Sequence, residues 1–203
     1  MSVQTVPTPE QVVDPEAAGT ETAMPQRAPL SQLLPTGVWA VLVVATALAL
    51  VVAGFVDFGL HGRALLGTVF LPALVLLAAI DARHHLLPNE LILSASLAVG
   101  LIVAASTPGD FLQHLAAGAA LGGFFFVFGT VFAGSIGMGD AKLGFLLGLA
   151  LGSKTLGASL IAFTTLLVAA LYVLATRGVS ARKSTLPFGP FLALGGIVAF
   201  FLS

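Results

Sequence analysis

The chain has 203 residues, 58% of them hydrophobic and 8% charged, with a net charge of −1 and no cysteine. A soluble domain of this size needs about a quarter of its residues charged, so the solvent of this chain is expected to be largely lipid. The charge balance offers no basic stripe to a nucleic acid, and the lack of cysteine excludes disulfides, zinc ribbons and thiol nucleophiles.

Residues 1–34 hold five of the eleven prolines, four acids and one arginine, Arg27, a composition that predicts a disordered tail. The tail lacks the basic start and apolar core of a secretory signal peptide, and Ser2 stands where myristoylation needs glycine. Residues 35–203 read as one membrane domain. Roughly 17 to 25 apolar residues span a bilayer as a helix. The charge-free runs predict such helices over 36–56, 64–81, 90–106, 113–133, 155–175 and 187–202. A shorter stretch, 141–152, fits a thin crossing, a half-helix buried in protein, or one arm of a hairpin. Lys142 and Lys154 bracket it as snorkelling anchors do, which favours a crossing. The expected fold class is all-α: a polytopic integral membrane bundle of about seven transmembrane helices, six if 141–152 is re-entrant.

With seven alternating crossings, Arg27, Arg83, Lys142, Arg177, Arg182 and Lys183 fall on one side and Arg63 and Lys154 on the other. That excess marks the first side as cytoplasmic, with the tail inside and Ser203 outside. The same alternation sorts the carboxylates. Asp81, Glu90 and Asp140 share the cytoplasmic side, and Asp57 and Asp110 fall on the outer side.

Both cytoplasmic-side aspartates have structural explanations. Asp140 precedes a helix expected to begin at Ala141, where a carboxylate serves as N-cap and suits the helix dipole. Asp81 ends a helix and opposes its dipole, and Arg83 is the expected partner. An ionisable group inside a membrane segment nevertheless points to function. Gly137 and Gly139 remove side chains beside Asp140, allowing positive φ and the close approach of another backbone. Gly118, Gly122, Gly123, Gly148 and Gly152 are expected to serve close helix packing. Two carboxylates sharing a wet, glycine-lined cavity fit aspartic-protease chemistry, in which one member is ionised and the other protonated. The pair titrates together, and the sequence does not assign the proton to either member.

Three motifs then carry a resemblance. Asp81-Ala82-Arg83-His84-His85-Leu86-Leu87-Pro88-Asn89 resembles the first signature of the type IV prepilin and preflagellin peptidases, GxGD-type intramembrane aspartic proteases. Gly137-Met138-Gly139-Asp140-Ala141-Lys142 is similar to their second, and Leu186-Pro187-Phe188-Gly189-Pro190 to their C-terminal segment. The resemblance covers roughly residues 64–203. It implies an endopeptidase that removes the short basic leader from prepilin or pseudopilin precursors on the cytoplasmic side of the cell membrane. Asp81 and Asp140 match the family's catalytic aspartates, and no metal or other cofactor is implied. Pro88, Asn89, Gly137, Gly139, Lys142, Pro187, Gly189 and Pro190 match the supporting positions. Longer members carry a segment with two cysteine pairs, linked to metal binding and pilin N-methylation. This chain has no cysteine, so the resemblance is to the short form, with cleavage expected and methylation not.

His84 and His85 are read as hydrated interfacial residues, and Arg177, Arg182 and Lys183 as determinants of topology. Pro187 and Pro190 suit the start of the last helix. Lys142 is expected to orient Asp140 or to anchor the interface, and Glu90 is a candidate reader of the leader's basic residues. The rival from another class is a small transporter or channel subunit binding a proton or cation at the two aspartates. Such proteins often carry an inverted internal repeat, and none is evident here. Presenilin-like proteases usually have tyrosine before the first aspartate, where this chain has Ile80. The oligomeric state is not legible.

Overall fold

The computed structural model describes residues 29–59, 62–131, 137–177 and 187–202. Expectations resting on Arg27, Gly134, Ser135, Ile136, Arg182, Lys183, Leu186 and Ser203, and on the tail through residue 28, lie outside the described residues. The end of the predicted tail is not irregular: Leu30–Leu33 forms a single helical turn, α1, in which Leu33 is buried. An apolar side chain with a site to fill orders residues that composition alone assigns to the tail.

Seven longer helices follow: α2 (Val38–Phe58), α3 (Gly62–His84), α4 (Asn89–Ser106), α5 (Phe111–Val131), α6 (Met138–Leu151), α7 (Thr155–Arg177) and α8 (Gly189–Phe201). Among the described residues there is no strand. The predicted helices are all present, with ends shifted by at most three residues. Apolar stretches long enough to cross a membrane are Val38–Phe58, Gly62–His84, Asn89–Ser106, Phe111–Val131 and the nearly continuous run Met138–Thr176. The chain is a polytopic helical membrane bundle.

The short α6 runs from one end of the bundle to the other. Gly139, near its start, packs on Leu87, beside the start of α4. At its other end, the Leu149 carbonyl accepts a hydrogen bond from His114, near the start of α5. The segment 141–152 therefore reaches from one end of the bundle to the other. Gly152 ends it with φ of +54°, a left-handed conformation that glycine adopts without Cβ strain. A 3-10 turn, Gly152–Lys154, then leads into α7.

The core lies where α3, α4, α6 and α8 meet. Leu71, Leu74 and Leu77 of α3, Ile92 and Val99 of α4, Leu146 and Leu147 of α6, and Leu192 of α8 are essentially inaccessible. By contrast, α2 buries only Gly54 and turns Val41, Leu48 and Val56 outward, as a lipid-facing helix does. Lipid tails are as apolar as leucine, so close packing rather than water exclusion must hold these helices together. Small residues supply it. Gly118 and Gly122 of α5 face Gly144 and Gly148 of α6, and a Cβ on Gly122 would sit 2.9 Å from the Ala141 carbonyl. Gly195 of α8 approaches Ala158 and Ala162 of α7 in the same way. Gly123 does not take part in this packing, because no described residue lies within 4 Å of where its Cβ would be. One residue beyond Gly122, it is turned about 100° away from the α6 contact.

Candidate active site

Asp81 lies in the last turn of α3, one turn inside the helix end, and is 6% exposed. Its partner is not Arg83. The Gly189 backbone N–H, at the start of α8, donates to Asp81 Oδ2 at 2.9 Å. The first N–H groups of a helix have no partner within it, and they carry the positive end of its dipole. Asp81 thus opposes the dipole of its own helix while meeting the favourable end of another. Arg83 instead stacks over Trp39 of α2, 4.6 Å from the ring centroid.

Local chemistry explains the start of α8. Pro190 falls at its second position, where a missing N–H costs no intrahelical bond. Phe188 caps the helix and packs edge-on against Phe125 of α5, with ring centroids 5.4 Å apart, and lies 5.7 Å from Phe163 of α7. This aromatic cluster fixes the Pro187–Pro190 turn, and with it the Gly189 N–H. Gly189 is sterically required: a Cβ there would lie 2.7 Å from Asp81 Oδ2.

Asp140 is not the N-cap of α6. The helix begins at Met138, which puts Asp140 in its first turn, and Oδ2 reaches back to accept the Gly137 N–H at 3.2 Å. The Gly-x-Gly bend allows this earlier start. Both carboxylates are therefore held through one oxygen by a backbone N–H at a helix N-terminus, and Asp140 interacts electrostatically with Asp81. Asp140 is half-buried and Gly137 is exposed, whereas Asp81 is buried.

The two glycines before Asp140 do not use positive φ. Gly137 is extended, with φ of −75° and ψ of 151°, and Gly139 is helical. Gly139 is small because a Cβ there would meet Leu87 Cβ at 2.7 Å. Leu87 belongs to the turn after α3, where His85 takes the left-handed conformation at φ of +50° and its N–H bonds to the Asp81 carbonyl at 2.9 Å. His85 also interacts electrostatically with Asp81. His84 is the last residue of α3. Among the described residues no group of three or more His, Cys, Asp or Glu is arranged to hold a metal.

Pro88 caps α4 with φ of −64°, and Asn89 follows at its first position. Lys142 Nζ donates to Asn89 Oδ1 at 2.7 Å. Lys142 therefore ties the start of α6 to the start of α4, with no bond to Asp140 itself, because Lys142 lies only two residues on and faces α4. Each motif is connected to another: the first to the third through Asp81 and Gly189, and the first to the second through Gly139–Leu87 and Lys142–Asn89. Glu90 is exposed in the first turn of α4, near the same end.

Comparison with known proteins places the chain in a family. The type IV leader peptidase family matches residues 68–176, more than half of the chain and a range that includes both aspartates. The chain belongs to the type IV leader peptidase family. A prepilin leader peptidase/N-methyltransferase of Bacillus subtilis (strain 168) is 32% identical over 153 residues, 73% of this chain. The match spans 60% of the length of that relative. No solved structure matches the chain significantly.

Phe125, Phe163 and Leu87 support the site but do not figure among the supporting residues expected from sequence. Two of them carried signals: Leu87 stands within the first motif, and Phe125 is the middle of Phe124-Phe125-Phe126. Phe163 carried none, since its partner Phe188 is 25 residues away in sequence.

Proposed function

We propose that this chain is an intramembrane aspartic endopeptidase that removes the short basic leader of type IV prepilin or pseudopilin precursors. The observation that carries the reading is that Asp81 and Asp140 lie close enough to interact electrostatically, in a chain of the leader peptidase family. In the proposed reaction one aspartate is ionised and takes a proton from water, whose oxygen attacks the scissile carbonyl carbon. The protonated partner donates to the carbonyl oxygen, giving a neutral gem-diol. The proton taken from water then passes to the leaving amide nitrogen, and a hydroxyl of the gem-diol returns its proton to the other carboxylate as the C–N bond breaks. The carboxylic acid and amine separate, and the pair returns to one shared proton.

The backbone N–H groups of Gly189 and Gly137 orient the two carboxyls, and both sit where a helix dipole favours negative charge. The Asn89–Lys142 bond and the Phe188 cluster act on position only. Arg83, Lys142 and Arg177 belong to the aspartate end and Arg63 and Lys154 to the other, a distribution that favours a cytoplasmic active site. Glu90 is the exposed acid at this end suited to a basic leader. Leader removal is the whole of the proposed activity, because no cysteine is present to form the segment linked to methylation.

The test is to reconstitute the full chain in lipid and supply precursor peptides carrying a short basic leader ahead of an apolar helix. One cut that releases the leader, detected by mass, is expected. Intact peptides beside a proton or cation flux in sealed vesicles would replace this reading with that of a transporter.

A further inference from the structure

We propose that the bundle end opposite the aspartates binds the phosphate group of an anionic phospholipid. A cavity of about 330 Å³ opens there. It exists because α6 and α8 are short. Phe200, near the end of α8, packs on Gly67, and α3 continues from Gly67 back to Gly62, about 8 Å farther. The longer helices thus form walls around a floor made by the ends of the shorter ones.

The walls are polar and cationic: Arg63 from α3, Ser106 and Thr107 from the end of α4, His114 from α5, and Ser153 and Lys154 from the 3-10 turn. The floor is apolar and includes Leu66, Val103 and Leu151. Arg63 is held in place by the rings of Phe58 and Phe200, at 4.7 and 5.8 Å from their centroids, and by a 3.5 Å bond to the Phe200 carbonyl. Among the described residues that is its one hydrogen bond, and a guanidinium carries five donors. Lys154 is exposed and, among the described residues, has neither a hydrogen bond nor an ion pair. His114 donates from Nδ1 to the Leu149 carbonyl at 2.9 Å, which fixes the ring at the cavity wall. The hydroxyls of Ser106 and Ser153 have no protein partner among the described residues. Asp57 and Asp110 lie toward this end, are exposed, and do not line the cavity.

Two permanent cations from separate segments, with hydroxyl donors between them and no carboxylate among the described lining residues, select an anion with several acceptor oxygens. A phosphate fits, since arginine binds it in a fork and lysine as a point charge. The apolar floor selects between sources. It offers nothing to free phosphate, whereas at headgroup depth it accommodates the glycerol and first methylenes of a lipid. Basic pockets between transmembrane helices bind anionic headgroups at the cytoplasmic face, and the proposal extends the same pairing of charges to the opposite end.

The full chain is delipidated in detergent and titrated with phosphatidylglycerol, phosphatidylcholine and glycerol phosphate, and bound molecules are counted by native mass spectrometry. One phosphatidylglycerol per chain is expected to bind at least tenfold more tightly than either of the others. Lys154→Gln, which breaks no observed contact, should weaken it about tenfold. Arg63→Gln with Lys154→Gln should weaken it further, and Arg83→Gln at the opposite end should leave it unaltered. Equal binding of phosphatidylglycerol and phosphatidylcholine, or unchanged affinity in Lys154→Gln, would overturn the proposal. Glycerol phosphate binding as tightly as the lipid would overturn the lipid assignment.

Discussion

Alanine at position 189 puts a methyl group where the carboxylate of Asp81 lies. Its Cβ would be 2.7 Å from Oδ2, 3.0 Å from Cγ and 3.1 Å from Cβ of Asp81. Comfortable contacts require about 3.5 Å, so α8 or Asp81 must move by roughly 0.5 to 1 Å. The movement also stretches the 2.9 Å bond from the Gly189 N–H. A hydrogen bond to a charged group contributes about 1.5 to 3 kcal/mol, and stability should fall by up to that amount. A misplacement near 1 Å costs a reaction about 100-fold, so leader removal should slow to that extent in protein that still inserts and folds. Gly137→Ala is the contrast. Among the described residues its Cβ would meet nothing nearer than Asp140 Oδ2 at 3.5 Å, and its backbone suits any residue, so its rate should stay within about threefold of wild type. Initial rates on one precursor peptide, with thermal unfolding measured in parallel, decide the matter. Wild-type rates in Gly189→Ala, or equal losses in the two variants, would refute the reasoning.

The Lys142–Asn89 bond links the segments that carry the two aspartates, so Lys142→Met and Asn89→Ala should be non-additive in cleavage rate. A coupling of about 1 kcal/mol or more is expected from a double-mutant cycle, and simple additivity would contradict the link. Gly152→Ala meets both a φ of +54° and the His114 ring at 2.8 Å, far from the aspartates. It should lower stability by about 1 to 2 kcal/mol or more, seen as a lower unfolding temperature, with little change in kcat. Because the proposed reaction needs one protonated and one ionised carboxyl, its rate should fall on both sides of an optimum. Acid protonates both groups and base ionises both, and a rate that only rises with pH would count against the shared proton.

Hydropathy exposed the helices because each must satisfy its own backbone in lipid, and the charges mark where it leaves. The two short helices were harder to read. Length alone does not distinguish a 14-residue crossing from a buried half-helix, and α6 is resolved only by the contacts of Gly139 with Leu87 and of Leu149 with His114. The candidate aspartates were legible from alternation and motif, but their partners were not. Arg83 is the nearest basic residue to Asp81 in sequence, whereas the group that bonds to it lies 108 residues away on a helix start. Lys142 likewise looked toward Asp140 by proximity and reaches Asn89, 53 residues back. Such pairings depend on how helices are placed side by side, which local composition does not encode. The cationic cavity at the far end had no signature for the same reason, since its described lining comes from five separated segments.

The central claim is that Asp81 and Asp140 act as one catalytic pair. Its most direct test coexpresses the chain, as wild type, Asp81→Asn or Asp140→Asn, with a precursor carrying a short basic leader, and determines the N-terminal mass of the product. Loss of the leader with wild type alone, with all three proteins equally inserted, is the predicted result. Full cleavage by either variant would contradict the pair.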